Sequence, residues 1–111
     1  MSKHLERDLD DLEGRLLAQA SIVEAMIQKA SRGLIETRPE LVARVIELEQ
    51  QVDREEVAIE ESCLKILALH QPVAVDLRRT ATIMKINNDL ERIADLAVNM
   101  AERYCVPTSA P

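Results

Sequence analysis

Aromatic residues are almost missing from this chain of 111 residues, which has no Phe, no Trp and a single Tyr, and glycine occurs only twice. A sheet protein would need aromatic and β-branched runs separated by turn residues, so these absences argue against strands and for helices. Cysteine is as scarce. Cys63 and Cys105 stand far apart, in no C-x-x-C pattern, which excludes a disulfide scaffold or a cysteine metal knuckle and points to a reducing, cytoplasmic setting. No apolar run approaches the roughly 18 residues of a membrane span, and the opening SKHLERDLDD has no apolar leader core. Membrane association is therefore expected only through a partner. A basic face is lacking too: 20 acidic residues against 14 basic give a net charge of −6, which disfavours nucleic acid and anionic lipid as partners and permits cation binding.

What the chain does have is aliphatic periodicity. Leu5, Leu9, Leu12, Leu16, Ala20, Val23, Ile27, Ala30 and Leu34 alternate steps of four and three, the spacing that lays a stripe along one face of a helix. Thr37 and Glu40 match a capping box, which predicts the start of a second helix. Its stripe runs through Leu41, Val45, Leu48, Val52, Ile59, Cys63 and Ile66, interrupted at Glu55 and Glu56. Pro72 in His70-Gln71-Pro72 turns the chain, because its ring biases Gln71 away from helical geometry. A third helix carries two apolar lines, one of Leu77, Ala81 and Met84 and one of Ile83, Ile86, Leu90, Ile93, Ala97 and Met100, so it should touch both others. Short connections between long helices make neighbours antiparallel. The expected fold is all-α, an up-down-up three-helix bundle over residues 1–106 with helices of about 30 residues, roughly 45 Å each, followed by a loose tail at 107–111. Cys63, Met26, Met84 and Met100 read as core residues.

Glu49 and Asp53 on the second helix and Glu91 and Asp95 on the third repeat a Glu-x-x-x-Asp pair. Glu49 and Asp95 each lie 23 positions from Pro72, and Asp53 and Glu91 each lie 19. An antiparallel hairpin about that proline sets all four carboxylates at one height. Each set follows a seam residue, Leu48 and Val52 or Leu90, and a 100° step past the seam turns both toward the same flank. Four oxygen-bearing acids on one flank suit a hard cation such as magnesium, manganese or iron, with zinc less typical. Asn88 and Asn99 are within a turn and are candidate amide ligands; on the first helix Gln19 to Val23 should face the same height. The competing reading is that these are ordinary solvated acids neutralised by Arg54 or Arg92. No Gly-rich phosphate loop and no Ser-His-Asp or Cys-His set is present, so a non-enzymatic scaffold is favoured over a metal-dependent phosphohydrolase or a metal-free adaptor.

Leu67 to Arg103, LALHQPVAVDLRRTATIMKINNDLERIADLAVNMAER, resembles the PhoU family of phosphate-signalling regulators. The carriers are the Q-P-x-A-x-D-L-R turn, here Gln71, Pro72, Ala74, Asp76, Leu77 and Arg78, and the K-I-x-x-D-L-E-R-I-G-D helix, here Lys85 to Asp95 with Ala94 in place of the family glycine. Leu48 to Leu69 is similar to the family's second helix. The resemblance implies that Glu49, Asp53, Glu91 and Asp95 are positions that bind a multinuclear iron or zinc cluster. It also implies a cytoplasmic regulator of phosphate uptake and the phosphate-starvation response, contacting the ATPase subunit of a phosphate ABC transporter and a sensor histidine kinase. Family members carry two three-helix repeats in about twice this length. The present sequence is then either a fragment or a single repeat that a homodimer would complete. Arg78, Arg79, Lys85 and Arg92 read either as contacts to phosphate or an acidic partner, or as solvated residues balancing nearby acids.

Overall fold

The computed structural model describes residues 3–103 and consists of three helices, α1 (Lys3–Glu36), α2 (Pro39–His70) and α3 (Ala74–Glu102). Each packs against both others, and the two short connections make the expected up-down-up bundle. No strand occurs among the described residues. The tail at 107–111, Pro107 as the end of the third helix, and Cys105 lie outside them.

Propensity and packing agree in making these helices long. Their interiors hold no proline, and a continuous aliphatic seam along the bundle includes Leu9, Leu12, Met26, Val45, Val52, Ile59 and Cys63, all fully or almost fully buried. The seam departs from the expected stripe in all three helices, in α2 only at its start, where Val42 is buried and Leu41 half-buried. In α1 it follows Leu5, Leu9, Leu12 and Leu16 and then continues through Gln19, Val23, Met26, Ala30 and Gly33, leaving Ile27 and Leu34 exposed and Ala20 only partly buried. In α3 the buried line is Thr80, Ile83, Asn87, Leu90, Ala94, Ala97, Val98 and Ala101, while Leu77, Ile86 and Ile93 are exposed. A seam at 3.5 residues drifts round a 3.6-residue helix, and Gln19, Thr80 and Asn87 take core positions where each donates a hydrogen bond.

The buried amides of Gln19 and Asn87 each donate to α2, while their Oε1 and Oδ1 atoms have no partner among the described residues. The Gln19 amide donates to the Val52 carbonyl at 2.8 Å, and the Asn87 amide donates to the Glu56 carbonyl at 3.0 Å. Thr80 donates to the Asp76 carbonyl at 2.9 Å in its own helix. Gly33 lets the end of α1 meet the start of α2, since a Cβ there would stand 3.3 Å from both Leu41 Cβ and Val42 Cγ2.

The helix ends differ from the expected capping box. Arg38, not Thr37, is the N-cap of α2, with extended backbone and no side-chain cap, and Pro39 opens the helix. Proline is pre-formed for a first helical turn and forces the residue before it to be extended. Thr37 is taken by the end of α1 in a left-handed conformation, φ 55°, and Glu40 instead accepts from the Arg38 guanidinium at 2.7 Å. Gln71 ends α2 in the same left-handed region, φ 44°, with its N–H on the Leu67 carbonyl.

Two substitutions with opposite logic follow. Gln71→Gly relieves a left-handed side-chain clash and should raise unfolding stability by up to about 1 kcal/mol. Gly14→Ala, in α1 with no atom within 4 Å of the new Cβ, should add about 1 kcal/mol through helix propensity. Urea denaturation reads both, and a loss of stability in either would contradict the assigned local geometry.

Ion pairs fasten the bundle's rims. Arg15 grips both carboxylate oxygens of Glu55, at 3.0 and 3.1 Å, and reaches Ser62 at 3.2 Å. His70 Nε2 meets Asp8 at 3.0 Å, and Arg79 joins Asp10 at 3.2 Å and Glu13 at 2.9 Å.

Candidate metal centre on the flank between α2 and α3

Pairing along antiparallel helices brings the predicted acids together. Glu49 lies against Asp95 across the interface, and Asp53 also feels Asp95. Glu91 lies beside Asp95 on its own helix and senses Asp53 from α2. The hairpin symmetry about Pro72 therefore places the four carboxylates in one group on one flank.

The group is electrostatically uncompensated. None of the ion pairs among the described residues involves Glu49, Asp53, Glu91 or Asp95. Arg54 and Arg92 therefore do not neutralise them, contrary to the competing reading. The consequence shows in the protonation of Glu91, Glu49 and Asp53. The Glu91 carboxyl is pushed up to about 7, first by a hydrogen bond with Asp95, then by partial desolvation and the charges of Asp95, Glu56 and Asp53. Glu49 is raised by desolvation and then by Asp53, Asp95 and Glu102. Asp53, although exposed at its edge, is raised by desolvation and then by Asp95.

Glu56 belongs to the same group and was not among the predicted ligands. Its carboxyl is raised by desolvation and by the charges of Glu60, Asp53 and Asp95. The signal for it was the interruption of the second stripe: of the two glutamates there, Glu55 turns to Arg15 on α1 and Glu56 turns to α3. Asn88 and Asn99 are exposed; the buried amide at this height is Asn87, one turn from Glu91. Gln19 of α1 does reach this level, through Val52.

The donor chemistry fits a hard cation: the oxygens are anionic, lie on one flank and lack a basic partner. Among the described residues no three such side chains converge on a single point as they stand, so the acids are gathered but not closed into a cage. For an acid whose pKa is raised by folding, the unfolded chain binds fewer protons between the two pKa values, and stability falls as pH rises through that window. Metal-free protein should therefore lose stability between about pH 4.5 and about pH 7, the interval bounded by the ordinary and folded values of Glu91. Thermal melts in chelator at pH 5 and pH 7.5 check this, and a higher melting temperature at pH 7.5 would contradict it.

The fold is an all-α three-helix bundle with a group of acids on the flank between α2 and α3. Residues 16–104 match the PhoU domain model, and the chain belongs to the PhoU domain family. It is 40% identical over 111 residues to a phosphate-specific transport system accessory protein PhoU homolog of Deinococcus radiodurans, covering all of this chain and 52% of that protein. It is 37% identical over 107 residues to the similarly named protein of Aquifex aeolicus, covering 96% of this chain and 48% of that one. The identity is 38% over 103 residues with that of Pseudomonas aeruginosa, covering 93% and 43%. The chain thus spans about half the length of the curated relatives it matches. No described helix is long and apolar enough to cross a membrane.

Proposed function

We propose that this chain is a non-enzymatic accessory module of a phosphate-specific transport system, acting as a metal-binding helical scaffold in phosphate regulation. The observation that carries this reading is the uncompensated group of Glu49, Asp53, Glu91 and Asp95 in a chain of the PhoU domain family. These four residues would hold an iron or zinc cluster, with manganese or magnesium as further candidates for an all-carboxylate set, and the exposed members would rotate to close on it. The metal would supply positive charge that cancels their repulsion and ties α2 to α3.

In this reading the module works in the cytoplasm, against the ATPase subunit of a phosphate ABC transporter and a sensor histidine kinase. A second copy would complete a six-helix arrangement in a homodimer. The accessory role of the named relatives supports the transport link. Co-purification of tagged protein with the transporter's ATPase subunit, scored with and without chelator, tests it. Recovery of the subunit that depends on metal supports the reading; failure to recover it under either condition removes the transport role.

A further inference from the structure

The outer face of α3 carries a second arrangement that the acidic flank does not use. Arg78, Lys85 and Arg92 recur every seven residues, about 10.5 Å apart, and all three are exposed. None of them enters an ion pair or side-chain hydrogen bond among the described residues, whereas their neighbour Arg79 is bound by Asp10 and Glu13. Beside this row the α1–α3 interface opens into a groove of about 460 Å³, with an apolar floor that includes Leu17, Val75 and Ile86 and with Arg78 at its rim. Leu17 and Val75 are each 70% exposed. Glu13 and the paired Arg79 also line the groove. Isolated exposed aliphatics are ordinary, but an apolar groove with Arg78 at its rim, from which a row of unpaired cations continues along α3, is the composition of an interaction site.

We propose that this face docks an amphipathic helix from a partner, one that lays apolar side chains into the Leu17/Val75/Ile86 groove and presents acidic residues at seven-residue spacing to Arg78, Lys85 and Arg92. The spacing selects the occupant. Three cations about 10.5 Å apart cannot converge on one inorganic phosphate, but they match every second turn of a helix lying alongside. A nucleic acid or an anionic membrane is disfavoured because the bundle is only 20 × 19 Å across and carries a net charge of −6. Its acidic flank therefore lies within about two Debye lengths of any extended polyanion on the basic face. A short acidic helix meets the row locally and leaves that field behind.

The test uses a labelled synthetic helix of about 20 residues, with Glu every seventh position beside a Leu stripe, and its partner in which each Glu is Lys. By fluorescence anisotropy the Glu peptide should bind the intact chain saturably, and binding should weaken as salt rises. Arg78→Glu with Lys85→Glu and Arg92→Glu, shown folded by circular dichroism, should weaken it about tenfold or more and should gain binding to the Lys peptide. Chelator should leave Glu-peptide binding unchanged, which keeps this result separate from that of the metal reading. Equal binding of both peptides, or no effect of the triple reversal, overturns the proposal. So does displacement of the Glu peptide by phosphatidylserine vesicles, and so does sedimentation showing that the intact chain dimerises through this face and the triple variant does not.

Discussion

Adding manganese, iron(II) or zinc to chelator-treated protein at pH 7.5 is expected to raise its melting temperature by about 10 °C or more when the metal is near 100 times its dissociation constant. That concentration contributes about 2.7 kcal/mol, and each kcal/mol moves a domain of this size by roughly 4–8 °C. The sign follows from the acids' protonation: Glu91 sits up to about 7 because Asp95, Glu56 and Asp53 crowd it, and a cation replaces the proton that would otherwise relieve that crowding. Glu91→Gln should act in two opposite directions. Without metal it removes a repelled charge, so the variant should be more stable than the parent at pH 7.5 and should show a shallower loss between pH 5 and pH 7.5. With metal it lacks one ligand, so most of the added stabilisation should vanish. Differential scanning calorimetry in chelator and in metal reads both arms. A variant that loses stability in chelator and keeps the full metal-dependent gain would assign Glu91 an ordinary structural role.

Adjacent residues in α1 should give the second large effect. Met26, read from the sequence as a core residue, is fully buried, whereas Ile27, which hydrophobic spacing puts in the stripe, is 39% exposed. Met26→Ala should cost about 2–5 kcal/mol through lost burial and an unfilled cavity, a large part of the 5–15 kcal/mol that holds a domain together. Ile27→Ala should cost under about 1 kcal/mol. Urea midpoints of the two variants decide the register, and a larger loss in Ile27→Ala would rotate α1 by one residue about its axis.

Much of this was legible in the residues. The three helices follow from aliphatic spacing without aromatics or interior proline, and the hairpin about Pro72 follows from ring sterics. The gathering of Glu49, Asp53, Glu91 and Asp95 follows from their equal distances to that proline. The register of the seam was not legible. Gln19 and Asn87 fill core positions because each amide finds a carbonyl of α2, at Val52 and Glu56, and a pattern of apolar residues carries no trace of such a partner. The expected box of Thr37 and Glu40 failed for a related reason: α1 runs on to Glu36 and uses Thr37 to end itself, leaving Pro39 to open α2. Glu56 was visible only as a gap in a stripe. Which of two neighbouring glutamates faces α3 depends on Arg15 of α1 holding the other, a contact across 40 positions of sequence.

The most direct measurement is a crystal of the manganese- or iron-soaked protein, with anomalous diffraction recorded at the metal edge. A peak lying between α2 and α3, within coordinating reach of carboxylates from both Glu49/Asp53 and Glu91/Asp95, is the expected result. An empty map at that flank under saturating metal, with Asp53 and Glu91 turned outward from one another, would contradict it.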